Sequence, residues 1–239
     1  FHLLGRGDLG FGRRTVEDNR TGTTATYTYH QRESVGGFHP YAGIPATVLR
    51  ETPVYRHGLG GGVDYRAKTL VDQFHEVRLL HGGAVCSVLL SNEIVDRSID
   101  DARFFQQVTR YVYPVRDEDF FGEPERIDYQ ITVTDFGRGG GPGAWSRSRS
   151  TVVQFRAPAV DRWLVALPER KTESAQINAS ASPARTTTFA YEPNGLLRTR
   201  TIEPDDAERR LEVRYGRDGF GNVTTRTWTP GEGRVRVER

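Results

Sequence analysis

Six histidines, His2, His30, His39, His57, His75 and His81, are the first residues to test for metal chemistry. None stands in a His-x-His or His-x-x-x-His pair, and the single thiol, Cys86, has no second cysteine to complete a zinc site. Cys86 sits in Ala84-Val85-Cys86-Ser87-Val88-Leu89-Leu90, where a thiol packs as a small apolar side chain on a buried strand. Ser87 and Ser91 lie outside any Gly-x-Ser-x-Gly elbow. Asp117, Glu118, Asp119 and Glu123 gather four carboxylates without the Asp-x-Asp-x-Asp-Gly order of a calcium loop, so they read as a solvated turn. The glycine-rich stretches 58–62 and 137–143 lack the Lys-Ser/Thr or spaced-glycine context that cradles phosphate. Arg6-Gly7-Asp8 matches an adhesion tripeptide but is explained by a turn before Phe11, and Asn19, Asn178 and Asn222 head glycosylation sequons. The expectation is a chain with no catalytic residue, no metal and no cofactor: not an enzyme.

The elements that would position any chemistry are strands. The 239 residues are 36% hydrophobic and 10% aromatic, with 33 basic against 31 acidic groups, which is too aromatic and too balanced in charge for disorder. No apolar run approaches the ~18 residues of a membrane-spanning helix. Acidic residues interleave with the arginines, and Arg147 and Arg149 read as a solvated strand edge, so no nucleic-acid stripe forms. The chain starts at Phe1 and has no methionine, which suggests a segment of a longer polypeptide. Its 23 threonines favour extended structure.

Period-two alternation marks Arg126 to Thr134, with Ile127, Tyr129, Ile131 and Val133 on one face. It recurs in Thr24–Tyr29, Thr151–Phe155, Leu211–Tyr215 and Asn222–Trp228. Turn clusters at Asp18–Gly22, His81–Gly83, Asp100–Asp101 and Pro204–Asp206 punctuate these runs and predict hairpins. Ser98 to Gln107 is the one stretch with helical spacing, at Ile99, Ala102 and Phe105, although Phe104-Phe105 suits a strand equally. The fold class expected is all-β, a large antiparallel sheet of consecutive hairpins.

One unit recurs along the chain. Tyr215-Gly216-Arg217-Asp218-Gly219-Phe220-Gly221-Asn222 and Tyr191-Glu192-Pro193-Asn194-Gly195 both run from an aromatic strand residue through a polar turn to a glycine and a Thr/Arg strand. Aligning Gly195 with Gly221 sets Arg200-Thr201 over Arg226-Thr227 and Pro204 over Pro230, an offset of 26 residues. Weaker copies stand at Asp119–Pro124, preceded by Tyr111 and Tyr113, and at Asp8–Gly12. The aspartate is expected to cap backbone N–H groups of its own turn, and the glycine to take a backbone geometry closed to other residues.

These residues resemble the YD repeats of the RHS family, Tyr-Asp-x-x-Gly-Asn/Arg followed by a Thr-rich strand. Leu4-Gly5-Arg6-Gly7-Asp8-Leu9-Gly10-Phe11-Gly12 is similar to a segment in the middle region of TcdB/SpvB-type insecticidal toxin subunits. Trp163-Leu164-Val165-Ala166-Leu167-Pro168-Glu169-Arg170 is similar to the segment that shortly precedes the repeats there. The chain departs from the pattern where Gly216 follows Tyr215 and Glu192 follows Tyr191, with Asp218 in the aspartate's role. The resemblance implies a toxin-middle-region-like β segment at 1–160 and YD/RHS-type repeats at 161–239. It further implies a secreted, extracellular bacterial protein that forms part of a spiralling β-shell enclosing a toxic C-terminal polypeptide. The partners implied are the rest of its own polypeptide, with flanking RHS repeats, and other toxin-complex subunits, with no nucleic acid and no membrane span. The alternative is a cell-surface YD-repeat module that binds carbohydrate or a neighbouring cell.

Overall fold

A computed structural model of the chain describes residues 12–30, 34–37, 39–54, 65–80, 85–114, 122–134, 144–178, 180–231 and 235–238. They form one antiparallel sheet and no α-helix. The first strands are β1 (Arg13–Asp18), β2 (Thr23–Tyr29), β3 (Pro45–Val54), β4 (Tyr65–Leu80), β5 (Val85–Ile99), β6 (Ala102–Val112) and β7 (Arg126–Thr134). Then follow β8 (Ala144–Phe155), β9 (Pro168–Ile177), β10 (Ser180–Tyr191), β11 (Leu197–Ile202), β12 (Leu211–Arg217), β13 (Val223–Pro230) and β14 (Arg236–Glu238). All fourteen lie in chain order, each beside its sequence neighbour, so the sheet is a succession of hairpins, open at β1 and β14.

Packing divides the chain into two units: Phe1–Tyr111 with Asp128–Ser148, and Val112–Ile127 with Arg149–Arg239. In the first, β4 and β5 form the longest ladder, from Ala67↔Ile99 to Leu80↔Val85 with a bulge at Phe74/His75. Ala46, Leu89 and Thr109 are its buried residues. Cys86 is a strand residue as expected, half-buried opposite Leu79.

The stretch Ser98–Gln107 is strand, not helix: β5 and β6 meet at a two-residue turn with both Asp100 (φ +47) and Asp101 (φ +68) left-handed. That backbone matches the twist of a hairpin and no helix can pass through it. Asp100 Oδ1 accepts the Arg66 N–H at 3.0 Å, and Asp101 pairs with Lys68 at 2.7 Å, so both strained aspartates are tied to β4.

In the second unit the two faces differ in composition. Directly opposed residues share a face, so the pairings place Thr187, Phe189, Ile202, Leu211, Val213, Tyr215, Trp228 and Pro230 on one side, together with Arg200 and Arg226. Thr188, Ala190, Thr199, Thr201, Glu212, Arg214, Thr227 and Thr229 occupy the other. Tyr113, Thr187, Thr201, Ile202 and Val213 are buried, and no described side chain in either unit is sealed completely from solvent.

Candidate functional site

The candidate site is the row of repeat turns in the second unit, and its geometry begins with two bulges. The β10–β11 ladder shifts between Ala190 and Tyr191, and the β12–β13 ladder between Gly216 and Arg217. The same offset of 26 separates the pairs Thr187↔Ile202 and Val213↔Trp228, and Phe189↔Arg200 and Tyr215↔Arg226. The structural repeat therefore has the offset that the glycines mark, and within it Tyr215 corresponds to Phe189, while Tyr191 corresponds to Arg217.

Backbone hydrogen bonds close the two turns alike. Glu192 N–H donates to Leu196 C=O at 2.8 Å and Gly195 N–H to Glu192 C=O at 2.9 Å. Asp218 N–H donates to Asn222 C=O and Gly221 N–H to Asp218 C=O, both at 3.1 Å. Gly195 (φ +85) and Gly221 (φ +91) carry the left-handed step. Asp218 caps its turn as expected: Oδ1 accepts from Phe220 N–H at 3.0 Å and Asn222 N–H at 2.9 Å, and Oδ2 accepts from Asn222 Nδ2 at 3.0 Å. The Asn222 side-chain amide first, then its backbone N–H, hold the exposed Asp218 carboxyl below its ordinary value. In the other turn Asn194 Oδ1 accepts from Leu196 N–H at 3.1 Å.

Successive turns touch through leucines. A Cβ on Gly195 would stand 2.5 Å from Leu164 Cδ2, and one on Gly221 would stand 3.2 Å from Leu196 Cδ1. Each turn glycine thus leaves room for a leucine of the preceding connection. Leu164 itself belongs to a short loop after a 3-10 turn, Val160–Arg162, bridged back to Ala159. Arg217 adds a polar tie, donating to Gly221 C=O at 2.7 Å and to Leu197 C=O at 3.1 Å. Spacing alone did not reveal the leucine contacts or this arginine.

The aromatics of the motif divide into two kinds. Tyr191 is half-buried, its hydroxyl donating to Pro168 C=O at 2.8 Å, and burial pushes its ionisation up. Tyr215 and Trp228 are also half-buried, with the Arg236 guanidinium 5.8 Å from the centre of the Trp228 ring. Phe220 and Trp163 by contrast are 94% and 84% exposed. Glu192, Asn194, Leu196, Tyr215, Asp218 and Phe220 border an open recess of about 400 Å³ between the two turns.

No group of three or more His, Cys, Asp or Glu residues capable of holding a metal occurs among the described residues. Of the acidic run, only Glu123 lies within them, and it is exposed. Asp117, Glu118, Asp119, Arg6-Gly7-Asp8, His81–Gly83 and both glycine-rich stretches lie outside the described residues. No helix among the described residues is long and apolar enough to cross a membrane. The chain matches no protein-family model and no curated protein sequence.

Proposed function

We propose that this chain is a structural wall segment of a secreted bacterial RHS-type toxin shell, whose task is to enclose a toxic C-terminal polypeptide and not to catalyse a reaction. The observation that carries it is the sheet of consecutive hairpins with chemically distinct faces in its repeat-bearing unit. One face there is mainly aliphatic and aromatic, with Arg200 and Arg226 set among those residues, and the other is mainly threonine, arginine and glutamate. A wall needs two such faces, with pairing that continues strand by strand. Half-burial of Tyr191, Tyr215 and Trp228 fits strand packing better than a ligand platform. The test is protease treatment of the complete polypeptide that contains these residues. A C-terminal portion that survives trypsin in the native protein and is cut once the protein is denatured is the expected result. Equal cleavage rates in both states overturn it.

Exposed Trp163 and Phe220 favour a second reading, a cell-surface module that stacks sugar rings on aromatic turns. Binding to a glycan array that Trp163→Ala and Phe220→Ala both abolish would select this reading over the wall.

A further inference from the structure

One row of side chains crosses the apolar face of the repeat unit from β10 to β13: Phe189 opposes Arg200, Arg200 opposes Val213, and Val213 opposes Trp228. A guanidinium thus stands between apolar neighbours. Arg200 is half-buried, its Nε is closed to solvent without a hydrogen-bond partner, and it forms no ion pair among the described residues. Other cations gather beside it. Lys171 opposes Thr187, which in turn opposes Ile202, so Lys171 shares the face of Arg200. Burial first, then repulsion from Arg149 and Arg200, holds the Lys171 ammonium below its ordinary value. The acids of that face are engaged elsewhere. Glu173 Oε1 already accepts both Lys171 Nζ, at 3.1 Å, and the Arg149 guanidinium, while Glu238 stands opposite Arg226. Glu169, two residues before Lys171, is exposed and pairs with no described cation. Arg149, Lys171 and Arg200 are therefore left with one carboxylate among them.

We propose that Arg200 and Lys171 form an anion site for a carboxylate side chain of an acidic peptide segment, whose apolar residues lie along the row on either side of Arg200. A guanidinium taken partly out of water without a counter-ion is unfavourable, and an arriving anion offsets that cost. With Nε closed off, the two terminal amino groups are the donors left to meet a ligand, and their planar fork matches the two oxygens of a carboxylate. Lys171 adds a second charge, as a compact ammonium that needs no fixed orientation. The excess of cations over Glu173 sets the sign of the ligand, and the row sets its kind. Phe189 on one side and Val213 with Trp228 on the other require a ligand that covers apolar atoms next to its anion. A segment that mixes acidic with apolar residues does this, whereas free phosphate or a nucleic-acid backbone does not. The inference rests on this face alone and not on the wall reading.

The probes are a short capped peptide that alternates leucine and glutamate, its leucine–glutamine analogue, and inorganic phosphate. Each is titrated into the isotope-labelled 239-residue chain, with the arginine side-chain N–H signals followed by NMR. The glutamate peptide should move the Arg200 signal saturably, while the glutamine analogue and phosphate leave it in place at equal concentration. Arg200→Met keeps the stem and removes the charge, and is expected to weaken binding of the glutamate peptide at least ~10-fold. Arg226→Met lies on the same face at an exposed position opposite Glu238, and should change binding less than ~2-fold. Arg200→Met should also melt no lower than the parent, because it removes an unpaired charge from a half-buried place. A peptide that moves no signal overturns the inference, and so does phosphate bound as tightly as the peptide, which would mark an inorganic-anion site instead. Equal loss in Arg226→Met would show diffuse surface charge, and a lower melting temperature for Arg200→Met would show a guanidinium that serves the fold; either result overturns it as well.

Discussion

Replacing Gly221 by alanine tests the repeat turn with an internal control two residues away. Gly221 has φ +91, where an L side chain costs about 1–2 kcal/mol, and its new Cβ would press on Leu196 Cδ1 at 3.2 Å. Gly219 stands in the same turn without a left-handed φ, and a methyl group added there would meet no atom within 4 Å. Alanine there restricts only the unfolded chain and is neutral or stabilising by up to ~1 kcal/mol. For a chain of this size about 2–4 °C of melting temperature accompanies each kcal/mol, so Gly221→Ala should melt roughly 2–8 °C below the parent, with Gly219→Ala at or above it. Gly195→Ala should fall at least as far as Gly221→Ala, because its Cβ meets Leu164 Cδ2 at 2.5 Å. Thermal and urea unfolding followed by circular dichroism read the order. Coincident curves for Gly221→Ala and Gly219→Ala would refute both the left-handed turn and the leucine seat.

Three further outcomes follow from the same unit. Tyr191→Phe removes the bond to Pro168 C=O and leaves a half-buried acceptor, a loss of about 1 kcal/mol in urea titration. Gly231→Ala should cost roughly 1–3 kcal/mol, because its Cβ would overlap the Ala207 carbonyl oxygen, a backbone atom that cannot swing aside. Asp218 titrates below its unfolded value of about 3.9, so its stabilising contribution is complete above that value and is lost as pH falls through the folded one. The amide signals of Gly221 and Asn222 should move with that acid titration by NMR and stay still in Asp218→Asn.

The turns were legible in the sequence because their chemistry is local. Asp218, Gly221 and Asn222 act within five residues, and a glycine that must be left-handed is marked by its type. The offset of 26 was readable for the same reason, since both glycines occupy the same place in their hairpins. The stretch at Ser98 was ambiguous because Ile99, Ala102 and Phe105 satisfy a helical spacing, and only the two left-handed aspartates decide against it. Side-chain correspondence was harder, because a bulge after Gly216 and another after Ala190 shift everything that follows by one residue. Which residues share a face depends on those shifts, so Arg200 on the apolar side beside Phe189 and Val213 was not visible from alternation alone. The leucine seats were hidden too, because Leu164 and Gly195 are brought together by the whole β9–β10 hairpin.

Cohesion in the repeat unit has a physical consequence that links its turns to its faces. With no side chain completely sealed among the described residues, little stability comes from a central core, and most comes from each strand's contact with the next. Val213 is buried because Arg200 and Trp228 oppose it on both sides, and Ile202 because Thr187 and Leu211 do. Such a sheet grows by adding a hairpin, provided the new turn meets the old one without a gap. The glycine that receives the preceding leucine meets that condition, since a side chain there would press on that leucine and strain the left-handed turn. Damage at Gly221 should therefore loosen β12 and β13 and their junction with β11, while the ladders of the first unit keep their protection. Hydrogen exchange on Gly221→Ala reads this directly: faster exchange confined to Leu197–Pro230 is the expected result, and uniform acceleration that extends through β4 and β5 would show that stability is shared across the sheet instead.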